Sequence, residues 1–191
     1  MQNNFKQIIK HIKEIEKQLK IVKKYVKLYN IKNRKEINMK TSIIPIKDQI
    51  NVFDVANYIL VNNKNNTHMK LHKLIYYSHV YHLTKYKKSL IDNEIQAWRH
   101  GPVFPELYPI LKKYTYEKIT KKIKNGDISK IKNTYKKAID YIIDKYGKLD
   151  GQQLSERTHF EKPWQEAIQQ GRNVRILNET LIKYYIHKNK L

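Results

Sequence analysis

Eight histidines and no cysteine define the chemistry open to this 191-residue chain. Without thiols there is no disulfide framework and no cysteine nucleophile, which fits a cytoplasmic protein without requiring one. Four of the histidines fall on one stretch that reads as a helix, as the pairs His68/His72 and His79/His82. Spacings of four and three residues put each pair on one helical face, a geometry that can hold zinc. That stretch supplies no carboxylate to complete a site, and the pairs lie more than one turn apart. The expectation is solvated or hydrogen-bonded imidazoles, with no metal and no cofactor. The chain also lacks a phosphate-binding glycine loop, GxGxxG, GxSxG and HExxH, so nothing in it reads as an enzyme.

Other side chains suit recognition better than catalysis. Tyr76, Tyr77 and Tyr81 stand beside Lys70 and Lys73. They read either as a base-stacking surface or, as preferred here, as a half-buried cluster with hydroxyls at its rim. Trp98 and Trp164 are the two tryptophans, each next to a proline or Gly-Pro break; core anchors are expected, partner hot spots being the alternative. Arg99 and Arg157 stand out in a composition that otherwise leans to lysine, because a planar five-donor group is not replaced by an ammonium. Arg157, Thr158 and His159 read as a buried polar network, against a plain surface charge for Arg157.

Thirty-nine basic residues against seventeen acidic ones give a net charge of +22. Clustered cations would release counterions from a nucleic-acid backbone. Most of this charge is lysine spread along the chain, so a basic nucleic-acid-binding protein or autorepressor is the alternative function rather than the first. No run of about eighteen apolar residues offers a membrane span, and no signal peptide is expected.

These residues need elements to hold them. Residues 4–29 place Phe5, Ile8, Ile12, Ile15, Leu19, Val22, Val26 and Tyr29 at steps of three and four, a heptad seam. It reads as a coiled-coil arm for self-association or a partner, or as a helix folded back on its own domain. Residues 1–30 are therefore taken as an arm, 31–47 as a linker that ends near Pro45, and 48–191 as the main domain. Asn51 is expected to cap a helix with Asp54 in its first turn, and Thr67 to cap the helix over 68–86. Glu94 to Trp98 reads as extended, broken by Gly101-Pro102. Strands are expected at 115–119 and 121–123, joined to the Trp98 segment, with a turn at Asn125-Gly126-Asp127. Further helices are expected from about Ser129 to Gly147, from Asp150, from Pro163 to Gly171, and from Asn178. The fold class is mainly α: a compact multi-helix domain with a small antiparallel hairpin and a long N-terminal heptad helix.

Several separated pieces share one pattern. They are Asp54-Val55-Ala56 with Tyr58-Ile59-Leu60, Met69-Lys70-Leu71 with Lys73-Leu74 and Tyr76-Tyr77, Ile95-Gln96-Ala97-Trp98 with Gly101-Pro102-Val103, then Leu154-Ser155, Thr158-His159 and Pro163-Trp164. In order and spacing, the chain from about Val52 onward resembles the Panacea antitoxin domain, the SocA-like family. Lys87-Lys88-Ser89-Leu90 departs from it, since that turn usually has Gly and Pro before Leu, and the heptad arm lies outside the family domain. The resemblance implies a mainly helical antitoxin that neutralises a cognate protein toxin by binding it, in one variant as an adaptor to a protease, with no catalysis and no cofactor. It marks Lys70, Lys73, Tyr76, Tyr77, Trp98, Arg99, Gly101, Pro102, Thr158, His159 and Trp164 as structural or interaction residues. For the toxin contact itself, the seam residues Ile12, Ile15, Leu19 and Val22 are expected.

Overall fold

The first helix of the main domain begins at the cap the sequence indicated. In the computed structural model, the Asn51 side chain accepts from the backbone N–H groups of Phe53 and Asp54, and Asp54 accepts in return from the Asn51 N–H. This reciprocal capping satisfies donors that a helix start otherwise leaves bare. It opens α1, Val52–Asn62. The structure describes residues 49–186 together with Glu16, Leu19, Lys20 and Lys23. Those four are helical and exposed. Ile12, Ile15 and Val22 of the heptad seam, and the expected linker, lie outside the described residues.

Thr67 caps α2, His68–Tyr86, through its hydroxyl and the Lys70 N–H. Every residue from Lys70 to Val80 is buried. This is more than the single apolar side the sequence suggested, because α2 has neighbours all round: α1, and the elements below numbered α4, α5, α7 and β2. Burial of its lysines and histidines is made tolerable by partners far away in the chain. The Lys70 ammonium donates to the Gly147 carbonyl at 2.6 Å. His79 meets the Asn178 amide oxygen at 2.9 Å, and His82 meets the Lys88 carbonyl and the Thr134 hydroxyl.

The extended segment expected before Trp98 is strand β1, Gln96–Trp98, but its hairpin partner is β2, Gly101–Val103, where the sequence indicated only a break, with Trp98 opposite Gly101. The short helix α3, Tyr108–Leu111, follows and runs into a tight turn at Lys112–Tyr114. Residues 115–123 do not form the expected strands, and β1 takes its second partner from β3, Val174–Arg175. The reason is local. Ile119, Ile123, Ile128 and Ile131 are spaced by four, five and three, not by two, so no strand face is apolar. The backbone here is satisfied by a side chain: Asn57 donates to the Ile123 and Gly126 carbonyls and accepts from the Ile123 N–H, all within 2.9 Å. Asp54 adds a bond to the Asp127 N–H.

Helix α4, Asn133–Tyr146, starts four residues after Ser129, which sits instead in a tight turn over Ile128–Lys130. Gly147 closes α4, and Asp150 with Gln153 forms a second reciprocal cap on α5, Gly151–His159. Then come α6, Lys162–Gln170, with Pro163 in its first turn, and α7, Asn178–Ile186. The core joins Val55 and Ile59 of α1, Leu71, Leu74 and Ile75 of α2, Phe104 and Leu107, Ile139 and Ile142 of α4, Leu154 and Leu181. The domain is mainly helical with one small antiparallel sheet. No described helix is long and apolar enough to cross a membrane.

Candidate functional site

The residues singled out in the sequence converge on the hairpin. Gly101 has φ +99°, and a Cβ there would lie 2.5 Å from Lys73 Cε and 2.5 Å from Thr158 Oγ1. Only glycine accommodates both the backbone angle and the contact. Lys73 is almost completely buried, and its ammonium donates to the Pro102 carbonyl at 3.1 Å. Burial brings its pKa down from 10.5 to about 7, since a charge away from water is costly. Thr158 donates to the Ser155 carbonyl at 2.7 Å, and Ser155 donates to the His100 carbonyl at 2.9 Å. Helix α5 therefore holds the turn Arg99-His100 through its backbone.

Beside it, the Phe104 N–H donates to His72 Nδ1 at 3.2 Å. This places the imidazole proton on Nε2, which has no partner. Burial first, then Lys73 and His68, hold His72 well below the usual histidine range. His68 and His159 are lowered as well, by burial and then by Lys73 and His100. The cluster is thus one of neutral imidazoles around a lysine.

The tryptophans form a clamp on the outer side. Trp164 Nε1 donates to the Trp98 carbonyl at 2.9 Å. His159 stacks on Trp164 with centroids 4.1 Å apart, and Trp98 lies against Tyr108 at 4.7 Å. Both indoles are half-buried, so each joins the anchor role to an accessible edge. Arg99 and His100 are exposed, and Phe160, the residue after His159, is 81 % exposed.

Tyr76 and Tyr77 are fully buried, not at the rim as expected; Tyr81 alone of the three is half-buried. Their hydroxyls lead to Glu161, which sequence reasoning missed. Tyr77 donates to one carboxylate oxygen at 3.0 Å and Tyr185 to the other at 2.5 Å, while the Tyr76 and Tyr185 hydroxyls lie 3.4 Å apart. Burial, with the Glu161 charge, pushes all three phenols well up. A glutamate just ahead of Lys-Pro-Trp looks like any residue near a helix start, and only the fold reveals its role. The network expected at Arg157-Thr158-His159 is divided. Thr158 is buried and bonded, whereas Arg157 lies at the surface with its guanidinium 4.9 Å from the Tyr146 ring centre. Lys70 stands apart, on the Gly147 carbonyl.

Among the described residues no three or more histidines or carboxylates are grouped to hold a metal ion. His79 and His82 face Asn178 and Thr134, away from His68 and His72. What the site does offer is a rigid turn bearing Arg99, backed by two indoles.

No curated protein and no solved structure matches the chain. The family model of the antitoxin SocA-like, Panacea domain matches residues 71–165. That span opens in α2 just after Lys70, takes in Lys73, the hairpin, α4 and α5, and closes one residue after Trp164. The family is one of antitoxins, which suggests a regulatory role without catalysis. The hairpin, the buried lysine and the paired tryptophans thus all lie inside the span, residues 71–165, that matches the antitoxin SocA-like, Panacea domain.

Proposed function

We propose that this chain is the antitoxin of a toxin–antitoxin pair and works in the cytoplasm by occupying a protein toxin, with no bond-making of its own. The observation that carries this reading is the family match across the whole hairpin site. Neutralisation by binding requires a surface able to bury a few large anchors, and interface energy concentrates in Trp, Tyr and Arg set on a rigid support. Trp98, Trp164, Arg99 and exposed Phe160 supply such residues. The heptad seam supplies a second surface: Ile12, Ile15, Leu19 and Val22 would lay one apolar stripe against the toxin, or against a second copy of the chain.

The toxin contact is assigned first to the seam, and one experiment separates the two surfaces. The chain is co-expressed with the product of the adjacent reading frame, and rescue of growth and co-purification are scored. The double change Ile15→Asp, Leu19→Asp should abolish both while leaving the domain folded by circular dichroism. Arg99→Glu with Phe160→Asp tests the hairpin face in the same way. Loss on the second pair alone would move the contact to the hairpin. Wild-type protein that neither rescues growth nor retains any companion polypeptide would refute the antitoxin reading. A toxin that disappears only where a cellular protease is present would make the chain an adaptor for degradation.

A further inference from the structure

The segment 112–132 carries eight lysines and two acidic residues, a much denser charge than the chain as a whole. It folds around a cavity of about 320 Å³. Lys113, Lys121, Lys122 and Lys124 line this cavity, and no carboxylate does. Its wall is apolar and aromatic, from Ile110, Tyr114 and buried Ile123. The volume is at the low end of the roughly 300–1,000 Å³ typical of small-molecule sites. We propose that this cavity binds a phosphorylated ligand of mononucleotide size, with its phosphates among the four lysine ammoniums and its ring against Tyr114 and the isoleucines.

Three observations support the assignment. No lysine of the rim is held in an ion pair: among the described residues the one pair within 4.0 Å is Lys136–Asp140. The Asp127 carboxylate, which lies outside the cavity lining, feels Lys130 and Lys122. Like charges held close together repel until an anion is placed between them. The second observation is rigidity. Asn57 fixes Ile123 and Gly126 by three hydrogen bonds, and Gly126 packs so closely on the Phe53 carbonyl that a Cβ would come within 2.2 Å of it. A ligand entering here meets a loop already ordered, so little binding energy goes to fixing it. The third is strain at the rim. Thr115, next to Tyr114, has φ +44° and ψ −106°. A β-branched residue rarely adopts such a backbone, and such angles gather at ligand-binding segments. Lys113 holds its ammonium over the Tyr114 ring, 5.4 Å from its centre, so one cation of the rim is already placed against the aromatic wall.

The same phosphate chemistry is available from a free nucleotide or from a nucleic-acid strand, and the site stands whether or not the chain binds a toxin. The test is calorimetric titration of the full chain with AMP, ADP, ATP, inorganic phosphate and a twelve-base single-stranded oligonucleotide, at two salt concentrations. The rim triple Lys121→Gln, Lys122→Gln, Lys124→Gln is compared with Lys137→Gln, Lys148→Gln, Lys183→Gln, which removes the same charge elsewhere. All six lysines are exposed, so neither triple threatens the core. A nucleoside di- or triphosphate should saturate one site. The rim triple should weaken it by about tenfold or more, and the control triple by less than about twofold, since charge-assisted bonds are lost in the first case only. Tyr114→Ala should weaken ADP more than inorganic phosphate. The proposal is overturned if no nucleotide binds saturably, if both triples lose affinity alike, or if the oligonucleotide alone binds through the rim.

Discussion

Replacing Lys73 by methionine should make the domain more stable, and the gain can be worked from its surroundings. The lysine is almost completely buried, with one hydrogen bond, to the Pro102 carbonyl. Burial lowers its pKa from 10.5 to about 7. Between those values the unfolded chain holds a proton that the folded protein has released, so stability rises with pH across pH 7 to 10.5. At about 1.4 kcal/mol per pH unit, the lysine costs the folded state about 4 kcal/mol at pH 7. Methionine has similar volume and no charge, but it leaves the Pro102 carbonyl without its donor, a loss of about 1–2 kcal/mol. The net expectation for Lys73→Met is a gain of about 2–3 kcal/mol at pH 7. Urea unfolding at pH 7, 8 and 9 measures it. The variant should start higher and show a flatter rise with pH. A variant less stable than the parent, with the same pH slope, would mean that Lys73 is a compensated cation in the fold, and would refute the desolvation argument.

Gly101→Ala should cost about 3 kcal/mol, from the backbone angle together with overlap on Lys73 and Thr158; urea midpoints would show it, and a change under about 1 kcal/mol would contradict the close approach. Acid should weaken the fold through His79, whose pKa falls from 6.5 to about 4 by burial. The unfolded chain then binds the proton first, so stability drops as pH falls from 6.5 towards 4, by about 3 kcal/mol from this residue. Stability measured at pH 7, 6 and 5 should decline, and the decline should be shallower in His79→Gln. Asn57→Ala should cost about 3 kcal/mol by removing three hydrogen bonds to segment 112–132. By freeing the backbone around these exposed lysines, it should also let trypsin cut at Lys121, Lys122 and Lys124 well before the rest of the domain.

The local chemistry of helix starts and stops was legible from sequence. Asn51 with Asp54, Thr67, Asp150 and Gly147 act within a few residues of themselves, and a cap needs nothing remote. The extended segment before Trp98 was legible in the same local way, and so was the break at Gly101-Pro102, but not the pairing of the two as a hairpin. Segment 115–123 misled because Thr115, Tyr116, Ile119 and Ile123 have the residue types of strands. Strand preference is mostly a matter of neighbours, and here the neighbour is Asn57, which takes the ladder's place. Strand β3 is two residues long and carries no pattern at all. The burial of α2 escaped detection because Lys70, His72, Lys73, His79 and His82 read as a wet face. Their partners Gly147, Phe104, Pro102, Asn178 and Thr134 lie up to 99 residues away. Glu161 escaped for the same reason, with Tyr77 84 residues from it.

The position of these buried polar groups connects stability to recognition. If position 73 served stability alone, an apolar side chain would serve it better, as the arithmetic above shows. What Lys73 adds is a fixed relation between α2 and the hairpin: it donates to Pro102, touches the face of Gly101, and shares that contact with Thr158 of α5. Ser155 grips the next carbonyl, that of His100, and Trp164 grips that of Trp98. The turn bearing Arg99 is thereby held at three backbone points from three helices. A binding surface held in this way loses little entropy when a partner arrives, and proteins commonly give up stability where a working site requires geometry that the core does not favour. Lys73→Met should therefore separate two readouts that a merely structural residue would move together. The midpoint of unfolding should rise while rescue by the hairpin face, if the toxin contact lies there, should fall. A variant that is both more stable and fully active would show that the buried lysine fixes nothing the partner needs.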